Sequence, residues 1–154
     1  MIKQTSKFYR GLQDGIPVAL GYLAVSFTLG IAARKAGITP FQALIASALN
    51  NTSAGEFAAF TLIGAGVSYL EIAITTLILN MRYILMSCAL SQKGDRNAPF
   101  FHRFIMAYDI TDEIFGLSIM YEGKLNPKYT YGIIALAAPA WAVGTYLGAL
   151  SGSI

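Results

Sequence analysis

The sequence predicts an all-α integral membrane protein, a single transmembrane domain over residues 1–154 with about five apolar segments. Hydrophobic residues make up 55% of the chain and charged residues 12%, which is too few charges for a soluble domain of this length. The mean hydropathy is +0.55. A spanning helix needs roughly 20 apolar residues, and such segments follow one another along nearly the whole chain. They cover residues 16–33, 38–70, 72–91, 104–121 and 129–154.

The first segment, residues 16–33, carries no charge and is typical of a permanent membrane helix rather than a signal peptide, because it has full length and no small-residue cleavage pattern. Pro17 is suited to the first turn of this helix. Arg34 and Lys35 followed by Gly37 predict its C-terminal end. Three basic residues precede the segment and favour a cytoplasmic N-terminus by the positive-inside rule: Lys3, Lys7 and Arg10.

The second segment, residues 38–70, contains a polar break at Asn50-Asn51-Thr52-Ser53 and is predicted to be a broken or re-entrant helix. Within a bilayer the backbone groups freed by such a break need partners from the protein or from a water-filled cavity. Ser53 and Glu56 fit a capping box, which predicts a new half-helix from Ala54. The N-terminus of that half-helix favours a carboxylate, so the break is a candidate solute site. A polar kink satisfied by neighbouring helices is the alternative.

Two topologies are compatible with this break. If residues 38–70 cross the membrane fully, the polar loop 92–103 lies outside; if they are re-entrant, it lies inside. The loop carries Lys93, Arg96 and Arg103, so the re-entrant topology separates the basic residues better and is favoured.

The last segment, residues 129–154, contains Pro139, which predicts a kink, and three glycines spaced four residues apart. Gly144, Gly148 and Gly152 lie on one helical face and predict a tight contact with another helix, either within the chain or in another subunit. The segment ends without a polar tail, so we expect the chain to be the core of a longer transporter, incomplete at its C-terminus.

Ionisable side chains fall at bilayer depth in three of the segments. Each costs roughly 2.5–3.5 kcal/mol at a helix centre on insertion scales. One cation and four acids cannot all be buried and ionised together, so protonation or a bound cation must supply the balance. On one helix Asp109 shares a face with two later acids. The five ionisable side chains at bilayer depth are Glu56, Arg82, Asp109, Asp112 and Glu113.

The alternative interpretation of these charges is structural. Arg82 then pairs with Asp112 or Glu113, and Asp109 lies near the interface in contact with water.

Other functional classes find little support. The single cysteine, Cys88, excludes an internal disulfide, and spacings for a metal site are absent. His102 lies beside a loop without a catalytic motif around it. Basic residues are scattered rather than interleaved with aromatic ones, which argues against nucleic-acid binding. We therefore predict no catalytic residues, no metal and no cofactor.

Several strings, in order along residues 11–152, resemble the AzlC-type large subunit of bacterial branched-chain amino acid permeases. The matching strings are Gly15-Ile16-Pro17, Thr52-Ser53-Ala54-Gly55-Glu56-Phe57-Ala58, Leu79-Asn80-Met81-Arg82-Tyr83, Thr111-Asp112-Glu113-Ile114-Phe115 and Pro139-Ala140-Trp141. The resemblance implies a multi-pass exporter of branched-chain or related small amino acids in the bacterial cytoplasmic membrane. It also implies a small hydrophobic partner subunit. Glu56 departs from the pattern, since such proteins more often carry Gln there.

The resulting hypothesis is a proton-coupled secondary transporter that works with this partner or as a homo-oligomer. The substrate carboxylate binds the half-helix start, helped by Arg82, and the ammonium meets Glu56 or the Asp112 and Glu113 pair. The candidate substrate-binding residues are Asn50, Asn51, Thr52, Ser53, Gly55, Glu56, Asn80 and Arg82; the candidate coupling residues are Glu56, Asp109, Asp112 and Glu113. An ion channel or pore subunit and a non-transporting membrane scaffold are the alternatives.

Overall fold

The computed structural model describes residues 6–94 and 99–152. Within them the chain forms eight helices, and the β-type pairing there is one isolated bridge between Gly94 and Leu125, so the all-α prediction is confirmed. The helices are α1 (Lys7–Lys35), α2 (Pro40–Asn50), α3 (Ser53–Gly64), α4 (Tyr69–Asn80), α5 (Arg82–Lys93), α6 (Phe100–Tyr108), α7 (Asp112–Met120) and α8 (Pro127–Ser151).

These eight helices correspond to the five apolar segments, because three of the segments are each divided into two helices. Three stretches are long and apolar enough to cross a membrane: α1, Tyr69–Lys93 and α8. The predicted break between α2 and α3 is present. Two further breaks have no counterpart in the prediction: Met81 separates α4 from α5, and residues 109–111 separate α6 from α7.

Helix α1 differs from its prediction at one end. It begins at Lys7, so Pro17 lies inside the helix and not in its first turn. Its other end is as predicted, since α1 stops at Lys35 and Gly37 adopts a φ of 83°. That left-handed conformation is open to glycine without steric cost and ends the helix.

The chain divides into two compact units, each built from two separate stretches of sequence. Unit 1 contains Met1–Val18 and Tyr83–Ala137, and unit 2 contains Ala19–Arg82 and Ala138–Ile154. Each unit is described by itself below.

In unit 2, α2 and α3 form an antiparallel helical hairpin. Ala43 and Phe60 share a buried cluster, and four residues further into the hairpin Ser47 donates to Glu56. At the open end Gly64 lies against Ala36, just after α1. The chain thus returns to the end of the unit at which α1 stopped. A hairpin that returns in this way is compatible with the re-entrant topology.

A capping box fixes the start of the hairpin at Thr39. It is not the capping box that the sequence predicts at Ser53 and Glu56. Thr39 accepts a bond from the Gln42 N–H, the Gln42 side chain accepts one from the Thr39 N–H, and Pro40 occupies the first helical position. After α3 a turn with Gly66 at φ 70° leads into α4, which is capped by Ser68 and packs against α3.

In unit 1, α6 and α7 form a second helical hairpin. His102 in the first turn of α6 bonds to Tyr131 near the start of α8, and the Ile119 carbonyl near the end of α7 accepts a bond from Lys93. Leu125 also donates to the Lys93 carbonyl, at 3.0 Å. Both ends of the pair therefore lie where α5 ends and α8 begins.

The start of α1 lies at this same end of unit 1. The Tyr129 hydroxyl donates to Asp14 at 2.8 Å, and the Arg10 guanidinium lies 5.7 Å from the centre of the Tyr121 ring. The basic residues Lys93 and Arg10 consequently share one end of the unit. Two further basic residues on which the predicted re-entrant topology depends, Lys3 and Arg96, lie outside the described residues.

Within each unit, the parts of α1 and α8 that belong to it touch through glycines. In unit 1, Gly11 packs against Tyr129 and Gly132. In unit 2, Gly144 packs against Leu23 and Ser26, Gly148 against Phe27, and Gly152 against Arg34. The tight contact predicted for the three glycines of α8 is confirmed and is made within the chain. Because α1 covers this glycine face, the face is not exposed for contact with another subunit.

Candidate functional site

The tip of the α2–α3 hairpin is a tight reversal of the backbone. Asn51 ends α2 in the left-handed region with a φ of 44°, a conformation that asparagine tolerates better than most residues. Thr52 is extended and caps α3 without a side-chain bond, because its hydroxyl donates to the Asn50 side chain at 3.1 Å. The first-turn N–H groups of α3 thus receive no acceptor from the cap side chain.

The predicted cap at Ser53 is therefore wrong by one residue. Thr52 is the cap residue and α3 begins at Ser53, not at Ala54. Glu56 also does not reach back to the cap, since its carboxylate is bound elsewhere.

The break between α4 and α5 lies beside this tip in unit 2. Asn80 is the last residue of α4, and its amide lies directly against the buried Gly55 in the first turn of α3. A Cβ atom at Gly55 would be 2.8 Å from both Asn80 amide atoms and 2.7 Å from the Thr52 hydroxyl. The approach of α4 to α3 at this depth requires glycine. Two helix breaks that are far apart in sequence are thereby joined.

Two polar atoms at these breaks lack protein partners. The Asn51 Nδ2 donor and the Asn80 Oδ1 acceptor are buried and make no hydrogen bond within the part of the chain that the structure describes. Asn51 as a whole is 5% exposed. Buried amide atoms in this condition cost roughly 1–3 kcal/mol each, so a bound polar ligand would stabilise them. The tip therefore offers a donor, an acceptor and a helix N-terminus.

Glu56 is 1% exposed and its carboxylate accepts hydrogen bonds from three neutral donors. The Trp141 indole donates at 2.8 Å, Ser47 at 3.4 Å and Thr145 at 3.5 Å. The Ser47 and Thr145 hydroxyl oxygens lie 2.9 Å apart, so either hydroxyl can donate to the other in place of the carboxylate. Glu56 therefore links α3 to α2 and α8, on the face of the hairpin that packs into the unit.

Sequence reasoning missed the partners of Glu56. The pattern predicts Trp141 only as part of a kink, yet α8 continues through Pro139 and aims the indole N–H at the carboxylate. Tyr22 of α1 holds the indole edge-on at 5.1 Å. A signal was present, because Trp141 and Thr145 are four residues apart and share a helical face.

The remaining predicted residues lie at the α4–α5 break and at the break between α6 and α7. Arg82 is the first residue of α5 and partly buried. Asp109 follows α6 and is 1% exposed, which contradicts the alternative that placed it near the interface in contact with water. Asp112 and Glu113 are exposed in the first turn of α7, where acids suit the helix N-terminus. The predicted shared face of these three acids is wrong, because the helix breaks between Asp109 and Asp112.

The fold and the site together define a polytopic α-helical membrane protein in which polar side chains gather where helices break. Comparison with known proteins gives the family. The family described as AzlC protein matches residues 17–154, and the chain belongs to the AzlC family.

The relatives found among curated proteins are membrane proteins. An uncharacterized membrane protein of Archaeoglobus fulgidus is 32% identical over 152 residues, which cover 99% of this chain and 66% of the relative. The inner membrane protein YgaZ of Escherichia coli is 24% identical, over 97% of this chain and 62% of its own length. An uncharacterized membrane protein of Helicobacter pylori is 29% identical, over 96% and 67%. The chain thus spans about two thirds of the length of each of these relatives. No solved structure matches the chain.

Proposed function

We propose that the chain forms the substrate-binding core of a secondary transporter for branched-chain or related small amino acids. One observation carries the proposal. A hydrogen-bond donor, Asn51 Nδ2, and an acceptor, Asn80 Oδ1, lie beside the N-terminus of α3, and neither has a partner among the described residues. An amino acid needs such a set, because its carboxylate accepts hydrogen bonds and its ammonium donates them. Discontinuous helices hold substrates in this way in other transporters.

The substrate carboxylate is assigned to the start of α3. The N–H groups and the helix dipole of this 12-residue helix favour an anion, and Asn51 Nδ2 supplies a further donor. The ammonium is assigned to Asn80 Oδ1. Glu56, already bound by three donors, acts in this proposal as a positioning residue that holds the hairpin and does not touch the substrate.

The wider activity is part of the same proposal. We place the protein in the bacterial cytoplasmic membrane, exporting its substrate together with a small hydrophobic partner subunit. Membership of the AzlC family supports this proposal, as does the apolar character of the spans.

Counterflow of leucine into liposomes containing the full-length protein and its partner tests the proposal. We expect saturable exchange in the wild type and a loss of about tenfold or more in apparent affinity for Asn51→Ala and Asn80→Ala. Each change removes a hydrogen bond to a charged group, worth about 1.5 kcal/mol or more. The matched control is Thr61→Ala, since the Thr61 hydroxyl bonds within its own helix. Ion currents without saturable exchange, or equal affinities in all three variants, would contradict the assignment.

Gly55→Ala is expected to lower leucine exchange clearly while changing the unfolding midpoint little. The added methyl group would push the Asn80 amide or the Thr52 hydroxyl aside, both of which lie at the proposed site. Gly116→Ala is the control, because nothing lies within 4 Å of a Cβ atom there. Exchange kinetics and thermal unfolding on the same preparations separate the two effects. Wild-type kinetics in Gly55→Ala would show that the tip does not contact the substrate.

A further inference from the structure

Two acidic side chains among the described residues are almost completely buried, and their surroundings differ. Glu56 in unit 2 has three hydrogen-bond donors. Asp109 in unit 1 is equally buried, at 1% exposure, yet neither of its carboxylate oxygens has a hydrogen-bond partner within the described residues. An ionised carboxylate in such a place costs several kcal/mol unless a positive charge accompanies it.

The position of Asp109 in its hairpin makes this cost larger. It follows the last residue of α6, where the helix dipole is negative and the final carbonyl groups lack helical partners. Both features repel a second negative charge and attract a cation. Ends of this kind, with backbone carbonyls freed by a break, coordinate Na⁺ or H⁺ in transporters with discontinuous helices.

The described cationic groups of unit 1 bond to other residues or face solvent. Arg10 pairs with Asp14, and Lys93 donates to the Ile119 carbonyl. Four titratable residues of α6 and α7 that flank Asp109 are exposed, and the fifth, His102, is bonded to Tyr131. The exposed ones are Arg103, Tyr108, Asp112 and Glu113. Within the described residues no side chain bonds to the Asp109 carboxylate, which leaves a positive charge from solution as a way to compensate it.

We propose that Asp109 and the C-terminal end of α6 form a seat for a single positive charge, a proton or a sodium ion, whose binding is coupled to transport. This inference rests on the proposed function, and it names one of the two buried acids as the coupling group. When the seat is occupied the hairpin α6–α7 carries no net buried charge, and when it is empty the buried carboxylate favours opening of the hairpin.

Ion-dependent thermal unfolding of the full-length purified protein tests the seat without any transport. At constant ionic strength, exchanging choline for Na⁺ at pH 8, or lowering the pH from 8 to 5.5 in choline, is expected to raise the unfolding midpoint by about 4 °C or more. Stability rises as pH falls because the folded state accommodates the neutral carboxyl more readily. A response to Na⁺ identifies sodium, and a response to pH alone identifies the proton.

Asp109→Asn should lose the response to Na⁺, respond less to pH than the wild type, and be at least as stable as the wild type in choline at pH 8, because this buried charge is gone. Asp112→Asn, an exposed acid three residues later, should keep the wild-type response. Equal responses in wild type and Asp109→Asn, or no response in either, would overturn the inference.

A transport measurement separates this inference from the proposed function. In liposomes, Asp109→Asn is expected to keep leucine counterflow while losing accumulation driven by a Na⁺ or pH gradient. Intact gradient-driven accumulation in this variant would refute the seat at Asp109 and leave the substrate site unaffected. Should Asp109→Asn fail to fold, Asp109→Glu, which keeps the charge and moves it outward by one methylene group, should retain ion dependence with a weakened affinity.

Discussion

Replacing Gly148 by alanine is expected to destabilise the folded protein by about 1–2 kcal/mol. The new methyl group would overlap the carbonyl of Phe27 in α1, and backbone atoms cannot move aside as the end of a flexible side chain can. Overpacking costs typically about 1–3 kcal/mol, and here it has to exceed the roughly 1 kcal/mol that alanine gains over glycine inside a helix. Thermal unfolding in detergent, followed by circular dichroism, measures the difference.

Gly21→Ala is the matched control for this experiment. Gly21 lies in α1, and nothing is within 4 Å of a Cβ atom built there. The same substitution should therefore be neutral or stabilising, so the two variants are expected to shift the unfolding midpoint in opposite directions. Equal midpoints for both variants would mean that α1 and α8 are not in the close contact described above.

The glycine contact also shows how far the sequence could predict the fold. The spacing of Gly144, Gly148 and Gly152 indicates a tight helix contact, because small residues on one face allow backbones to approach. It cannot indicate the partner. The partner is α1, more than a hundred residues earlier, where Gly30 contacts Thr145 and Gly148 from the opposite side. The small residues Ser26 and Gly30 indicate that α1 also allows a close approach, but their spacing does not indicate α8 as the partner.

The three helix breaks differ in how visible they are in the sequence. Residues 50–53 are four consecutive polar residues in an apolar run, which predicts a break directly. The break at residues 109–111 had a weaker signal, namely Thr111 as a cap followed by Asp112 and Glu113 in a first turn. Met81 is an ordinary helix former, so the break there depends on how α4 and α5 pack.

Glu56 shows the same limit at a single residue. The spacing Ser53 to Glu56 fits a capping box, but the local motif competes with a tertiary partner that the spacing does not reveal. The indole of Trp141 is 85 residues away and offers a well-aligned donor in the protein interior. A buried carboxylate gains more from such a donor than from a solvent-accessible backbone N–H group, so the tertiary contact prevails.

Trp141→Phe is expected to lower the free energy of unfolding by about 2–4 kcal/mol. The change removes the shortest of the three hydrogen bonds to Glu56 and leaves a buried carboxylate with two long ones, at 3.4 Å and 3.5 Å. A lost bond to a charged group costs roughly 1.5–3 kcal/mol, and the smaller ring adds a loss of packing against Tyr22. Chemical or thermal unfolding followed by circular dichroism is the measurement, since Trp141 is the only tryptophan of the chain.

A double-mutant cycle with Glu56→Gln isolates the hydrogen bond from the packing. Glutamine can still accept from the indole and donate to Ser47 or Thr145, so Glu56→Gln alone should cost less than about 1 kcal/mol. Adding Trp141→Phe to Glu56→Gln should then cost less than it does in the wild type, by about 0.5 kcal/mol or more, because an amide left without its donor is cheaper to bury than a carboxylate. The loss of ring packing is common to both backgrounds and cancels. Strict additivity would mean that the indole holds the hairpin by packing alone, and that Glu56 does not anchor α3 to α8.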